Sequence, residues 1–340
     1  MNDRTRRAFI LGSLGTIVVF AVLFFVVGTR RVIDSVLSAE PSLVAVTILL
    51  GLGWLLSWSL MLRTVLASLE VEVSIATSFL VYAGAVFANN VTPFGQAGGE
   101  PVAALLISKV SGSRYETGLV GIATVDVSNV VPSISLILVG VAYYATTTAV
   151  EGRLETAVTS AVVVIAAIVL VIAIIWRYRN AIIDRLPEIV APRIGRLGIE
   201  RLQSDTLEAD IANRLERFFE NIEVVATDRW RLTIVIGLSL LGWLFQAAAL
   251  MAAFAALGYG VPLHVAIFVI PLANLAGAAP LPGGLGGIEA AFVTLLVPTT
   301  TGVPASAITA AVLIFRVAIY WLPTLAGGIA VSALGVRAIR

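Results

Sequence analysis

The sequence predicts an all-α polytopic membrane protein: two inverted repeats, about six full transmembrane helices and two broken or re-entrant helical hairpins, eight hydrophobic segments in all. Three observations predict it: an apolar composition, apolar stretches of spanning length, and landmarks that recur at a constant spacing of 189 residues. Hydrophobic residues are 59% and charged residues 13% of the 340, with a mean hydropathy of +1.00. A soluble domain carries about 45–50% apolar and about 25% charged residues, so the chain belongs in a bilayer.

Composition also excludes chemistry. Cysteine is absent and His264 is the single histidine, which leaves no disulfide, no thiolate and no Cys/His metal cluster. The reading is therefore no metal, no cofactor and no enzyme activity. Basic residues number 22 against 21 acidic, and only Lys109 is lysine, so no basic domain points to nucleic acid.

The segments follow in order. The start TRRAF (Thr5 to Phe9) resembles a twin-arginine export signal, but the apolar run to Val27 is long enough to span and lacks an A-x-A cleavage site. It reads as a retained first helix. Stretches of about 20 apolar residues, the length that crosses a hydrocarbon core, fall at 8–28, 43–66, 118–145, 156–176, 231–257 and 306–333. Two more, 74–110 and 264–297, are interrupted by NNVTPFGQAGGEP (89–101) and AGAAPLPGGLGG (276–287). Each is one span or a hairpin of two half-helices.

Charge orients the chain, because Lys and Arg concentrate in cytoplasmic loops. Arg4, Arg6 and Arg7 place the N-terminus inside, and the loop 177–231, with ten arginines and ten acids, is placed inside too. The chain reaches that loop on the cytoplasmic side only if 74–110 enters and returns. The same parity makes 264–297 a hairpin from the outside and leaves Arg337 and Arg340 inside. Within the loop, Ile211, Leu215, Phe218, Ile222 and Val225 mark an amphipathic helix resting on the membrane face or the bundle. The expected location is the cell membrane, multi-pass, with both termini cytoplasmic.

A shift of 189 superimposes Leu52-Gly53-Trp54-Leu55 on Leu241-Gly242-Trp243-Leu244, then Pro93, Gly95, Gly98 and Glu100 on Pro282, Gly284, Gly287 and Glu289. One-residue slips further on pair Asp126 with Arg316 and Pro132 with Pro323. The expectation is a single membrane domain, 1–340, with a first repeat at 8–145 and a second at 156–333 that contains the loop 177–231. The two units begin on opposite sides, so the repeats are inverted. Inverted repeats with broken helices in matching positions mark a transporter whose site lies near the midplane.

The breaks supply the candidate substrate-binding residues: Glu100, Glu289, Arg316, Asp126, Gly98, Gly99, Gly283, Gly284, Gly286, Gly287, Asn90 and Gln96. A half-helix beginning after each glycine run leaves about four unpaired N–H groups and a partial positive charge, which attract a phosphate. The glycines allow close approach and positive φ, or simply tight helix packing. Glu100 and Glu289 sit in the first turns, where capping by the carboxylate competes with a cavity role. Asp126 and Arg316 lie too deep to reach water. They are mutual partners in a structural ion pair, or Arg316 holds a lipid phosphate while an acid carries a proton. Asn89, Asn90, Thr92, Gln96 and Asn274 add neutral hydrogen bonds at the same breaks.

PFGQAGGEP followed much later by PLPGGLGGIEA, in a chain of this length and hydropathy, resembles the transmembrane flippase domain of lysylphosphatidylglycerol synthases and related standalone flippase-like membrane proteins. The resemblance covers roughly 8–333 and is strongest at 93–109 and 280–292. It implies a protein that moves an anionic or phosphorylated lipid between leaflets. By position Glu100, Glu289 and their flanking glycines match the family motifs, whereas Asp126 and Arg316 follow from burial. In bifunctional members a soluble domain charges the lipid with an amino acid, and in some archaeal relatives a glycosyltransferase domain precedes the membrane region. The chain holds neither domain, so synthase activity is not carried over, and a separately encoded lipid-modifying or glycosyl transferase becomes a candidate partner.

Three rivals remain. An intramembrane enzyme would need a nucleophile with a base, or a metal cluster, and no HExxH or GxSxG run occurs. A carrier for a small solute or ion uses the same buried charges and inverted halves. A non-catalytic membrane partner of a transferase needs no transport at all.

Overall fold

A computed structural model describes residues 17–18, 20–22, 25–92, 96–148, 170, 174, 177–185, 188, 216, 228–278 and 281–337. Its regular elements are α1 (Thr29–Leu37), α2 (Pro41–Ser68), α3 (Ile75–Val91), α4 (Gln96–Ser111), α5 (Tyr115–Thr148), α6 (Arg229–Ala255), α7 (Leu263–Asn274), α8 (Gly287–Thr299), α9 (Ala305–Arg316) and α10 (Leu322–Arg337). Two 3₁₀ turns, Leu275–Ala278 and Pro282–Gly284, separate α7 from α8, and a π-turn, Val317–Trp321, joins α9 to α10. No strand occurs among the described residues.

Four stretches are long and apolar enough to cross a bilayer: Pro41–Ser68, Tyr115–Ala145, Arg229–Ala255 and Ala305–Ala333. They cover the expected spans 43–66, 118–145, 231–257 and 306–333. At a rise of about 1.5 Å per residue α2, with 28 residues, is about 42 Å long. By the same rise α3 (17 residues) and α7 (12 residues) reach only about 26 and 18 Å, short of a hydrocarbon core of about 30 Å. Both interrupted segments are thus pairs of short helices. In 8–28 the described residues from Ile17 to Val27 are helical, with Phe25 88% exposed. Of 156–176 only Leu170 and Ile174 are described, and the amphipathic run 211–225 is outside the described residues apart from Glu216.

Local chemistry sets the boundaries. Pro41 opens α2, where its missing N–H is one that a helix leaves unused. The Ser74 hydroxyl accepts from the Thr77 N–H at 3.0 Å and caps α3. Pro262 and Pro304 stand at the N-caps of α7 and α9. α1 was not foreseen, since TRRVIDSVL is polar along most of its length; it is seated by the buried Val32 and packs on α9.

The described residues of 1–148 and 233–340 form one compact unit, and those of 149–232 a second. In the second, the Asp228 carboxylate accepts from the Trp230 and Arg231 N–H groups at 3.1 Å each, opening α6.

In the first unit α2, α3, α4 and α5 pack in succession, and α7, α8 and α9 do the same. Two further contacts join these sets reciprocally: α3 lies on α10, and α7 lies on α5. Glycine makes both contacts close. A Cβ at Gly327 would lie 2.7 Å from the Ala83 carbonyl carbon and 2.7 Å from the Phe87 Cβ. One at Gly140 would lie 2.6 Å from the His264 carbonyl oxygen. Backbone therefore rides on backbone at both seams, as small residues permit in membranes. The recurring Leu-Gly-Trp-Leu pair packs crosswise too: Gly53 faces the Phe245 ring, and Gly242 faces Trp58, whose indole N–H donates to the Ser239 carbonyl at 3.3 Å. Leu55, Leu62, Leu66, Leu250, Phe254 and Phe292 fill the core between these elements.

Candidate functional site

The second break is built by three consecutive demands on the backbone. Gly283, Gly284 and Gly286 have φ of 57°, 65° and 84°, the left-handed region that side chains resist. At Gly283 a Cβ would also lie 2.6 Å from the Tyr320 ring and 2.9 Å from the Asn90 carbonyl oxygen. The reversal ends where α8 starts at Gly287, which places Glu289 in its first turn, as expected.

Glu289 uses its two oxygens separately. Oε2 accepts from the Gly286 N–H at 2.6 Å, and Oε1 accepts from Arg316 Nε at 2.7 Å. The side chains are 2% and 7% exposed, so capping and ion pairing coexist in one buried carboxylate. The guanidinium lies 4.5 Å from the centre of the Tyr320 ring, within cation–π range. Its Nη2 is buried and has no hydrogen-bond partner.

The first break meets the second through Asn90. The Tyr320 hydroxyl donates to the Asn90 carbonyl at 3.2 Å, and Asn90 Nδ2 donates to Thr324 Oγ1 at 2.7 Å. Thr324 in turn donates to the Tyr320 carbonyl. A short polar chain therefore runs from Glu289 through Arg316 and Tyr320 to the end of α3.

At the first break the expectation needs correction. Pro93 to Gly95 lie outside the described residues, and α4 already begins at Gln96. Gly98 and Gly99 are then inside the helix instead of before it, and Glu100 lies beyond the first turn, so it does not cap α4. Gly99 is there for contact: a Cβ would collide with the Asn89 side chain. The Glu100 carboxyl lies beside Asp126 of α5. Asp126 Oδ2 and Asn89 Oδ1 are buried without partners.

The pairing of Asp126 with Arg316, one option from the sequence, is not formed. Each takes the acid of the preceding short helix: Asp126 with Glu100, Arg316 with Glu289. Matching positions thus hold an acid–acid contact in one set of helices and an acid–base pair in the other. Tyr320 and Thr324 were missed. The signal was their spacing: 316, 320 and 324 recur every four residues, one face of one helix. Gly287 and Gln96 open α8 and α4 respectively.

This arrangement presents an oxyanion with the N-terminal N–H groups of α8, a buried guanidinium with a spare donor, and glycines that keep side chains out of the way.

The chain is similar over nearly its whole length to membrane proteins of archaea. A UPF0104 membrane protein of Methanothermobacter thermautotrophicus is 26% identical, covering 97% of this chain and 94% of that one. A UPF0104 membrane protein of Pyrococcus horikoshii is 22% identical, covering 96% of each. Glycosyltransferase AglD of Haloferax volcanii is 25% identical over 91% of this chain but only 52% of its own length. The sequence profile of the lysylphosphatidylglycerol synthase TM region matches residues 10–327, and the chain is a membrane protein that belongs to that family.

Proposed function

We propose that the protein is a flippase or scramblase that carries an anionic or phosphorylated lipid past the paired helix breaks, between two inverted repeats. The observation that carries this reading is the buried Arg316 at the junction of the breaks, with Nε on Glu289, Tyr320 against its face and Nη2 without a partner. A permanently buried cation is costly, and in membranes such groups mark transport routes. The reciprocal packing of α3 on α10 and α7 on α5 supports the repeats, because a two-fold operation that exchanges the sets exchanges those contacts. Family membership supports a lipid substrate. The site residues are Glu100, Glu289, Arg316, Asp126, Asn90, Gln96 and the glycines 98, 99, 283, 284, 286 and 287, with no catalytic step. The location is the plasma membrane, with both termini cytoplasmic.

A second reading has its own observation. Two carboxyls side by side, Glu100 and Asp126, favour a proton-coupled carrier of a small solute, in which the lipid is not cargo. Similarity to one half of a glycosyltransferase favours a role beside a separately encoded transferase.

Translocation in proteoliposomes tests the proposal. Fluorescent phosphatidylglycerol, a sugar-phosphate lipid and a neutral diacylglycerol are compared with wild type, Glu100→Gln, Glu289→Gln and Arg316→Ala. Loss of anionic-lipid transfer in folded variants supports a lipid site. A wild type inert toward all three lipids moves the carrier and partner readings ahead. Cysteine labelling at 185–228 from outside the cell would overturn the orientation.

A further inference from the structure

The donors that an oxyanion would use at the second break are already occupied, and by a group of the same chemistry. Glu289 takes the Gly286 N–H at the start of α8 and Nε of Arg316, one backbone donor and one guanidinium donor converging on one carboxylate. Nε and Nη2 share the edge of a guanidinium that normally binds a carboxylate or phosphate through two parallel bonds. Glu289 cannot complete that pair, because its second oxygen is held by Gly286. Nη2 is left buried and unpartnered, in a side chain 7% exposed.

Resting on the lipid reading of this site, we propose that Glu289 is an internal stand-in for the substrate's phosphate. A lipid phosphodiester displaces the Glu289 carboxylate from Gly286 and Arg316 and satisfies Nε and Nη2 together, and Glu289 returns when the lipid leaves. With Glu289 on both donors, the described conformation is then the self-closed one. The ligand chemistry is a phosphate monoester or diester. On the lipid reading that phosphate belongs to a head group, and the test separates it from free phosphate.

A competing internal anion has a consequence opposite in sign to that of a contact residue. Removing its charge should tighten binding of the external anion while slowing its release. Purified protein in detergent micelles is titrated with dihexanoylphosphatidylglycerol, glycerol 1-phosphate, inorganic phosphate and dihexanoylglycerol, following intrinsic tryptophan fluorescence. Expected are binding of the short-chain phospholipid by wild type, about tenfold tighter binding by Glu289→Gln, which keeps an acceptor for Gly286, and at least tenfold loss in Arg316→Gln. Binding of inorganic phosphate as tightly as the phospholipid would assign the site to free phosphate. Weaker binding by Glu289→Gln overturns displacement while leaving the lipid site in place, and no binding by wild type overturns the lipid reading itself. Should Glu289→Gln not fold, infrared difference spectra of wild type decide: phospholipid should shift a carboxylate band that dihexanoylglycerol leaves alone, and an unchanged band refutes displacement.

Discussion

Exchanging glycine for alanine should have opposite signs at two helix positions of this protein. At Gly327, on α10, a Cβ would lie 2.7 Å from the carbonyl carbon of Ala83 and 2.7 Å from the Phe87 Cβ on α3. Non-bonded carbons settle near 3.5–4.0 Å, so the two helices must part by roughly 1 Å. Backbone cannot swing aside as a flexible side chain can. Overpacking of this kind costs about 1–3 kcal/mol. The separation also strains the Asn90–Thr324 bond, which ties the same two helices one turn away, so the upper half of that range is expected. At Gly237, on α6, nothing lies within 4 Å of a Cβ and φ is not positive. Alanine there should stabilise by about 0.5–1 kcal/mol through the backbone entropy that glycine loses. Reversible unfolding of both variants in detergent, read by circular dichroism, gives the comparison. Gly327→Ala at or above wild-type stability, with Gly237→Ala stabilised as expected, would refute the close α3–α10 seam.

Two other outcomes follow from the polar chain. Tyr320→Phe removes the hydroxyl that reaches the Asn90 backbone carbonyl and should cost about 0.5–1.5 kcal/mol in the same unfolding assay, with a similar loss when Asn90→Ala is already present, because alanine keeps that carbonyl. Asp126→Asn puts an amide donor beside Glu100, so stability should stay within about 0.5 kcal/mol of wild type, whereas Asp126→Leu leaves Glu100 without its polar neighbour and should cost about 1–3 kcal/mol.

The spans were legible because lipid enforces one rule over about 20 residues, and Pro and Gly mark where that rule is suspended. The same logic found both helix breaks and four charges within the apolar segments, of which Glu289 and Arg316 are buried. Which charge meets which was not legible. The four positions carry the chain distances but not the rotation of one helix against the next, and Asp126 and Arg316 looked complementary in sign. In the fold each is held closer to the acid on the helix just before its own. Glu100 was misplaced for a related reason: the first glycine run was read as a terminator, yet α4 runs through Gly98 and Gly99 because Asn89 needs the room that a side chain at 99 would fill. The short α1 carries too little apolar signal to be found in advance.

The π-turn Val317–Trp321 gives the second of the two spacing slips a physical form. The offset between matching residues is 190 at Asp126 and Arg316 and 191 at Pro132 and Pro323, and the turn lies between Arg316 and Pro323. An additional residue inside a helix is absorbed as one wide turn, here closed by the Leu322 N–H on the Val317 carbonyl. An inserted residue rotates everything on one side of it by about 100° against the other. Through that wide turn Arg316, Tyr320 and Thr324 still share one face, with the Tyr320 ring under the Arg316 guanidinium and Thr324 on Asn90. A wide turn thus takes up one residue without parting the guanidinium from its aromatic seat or Thr324 from Asn90.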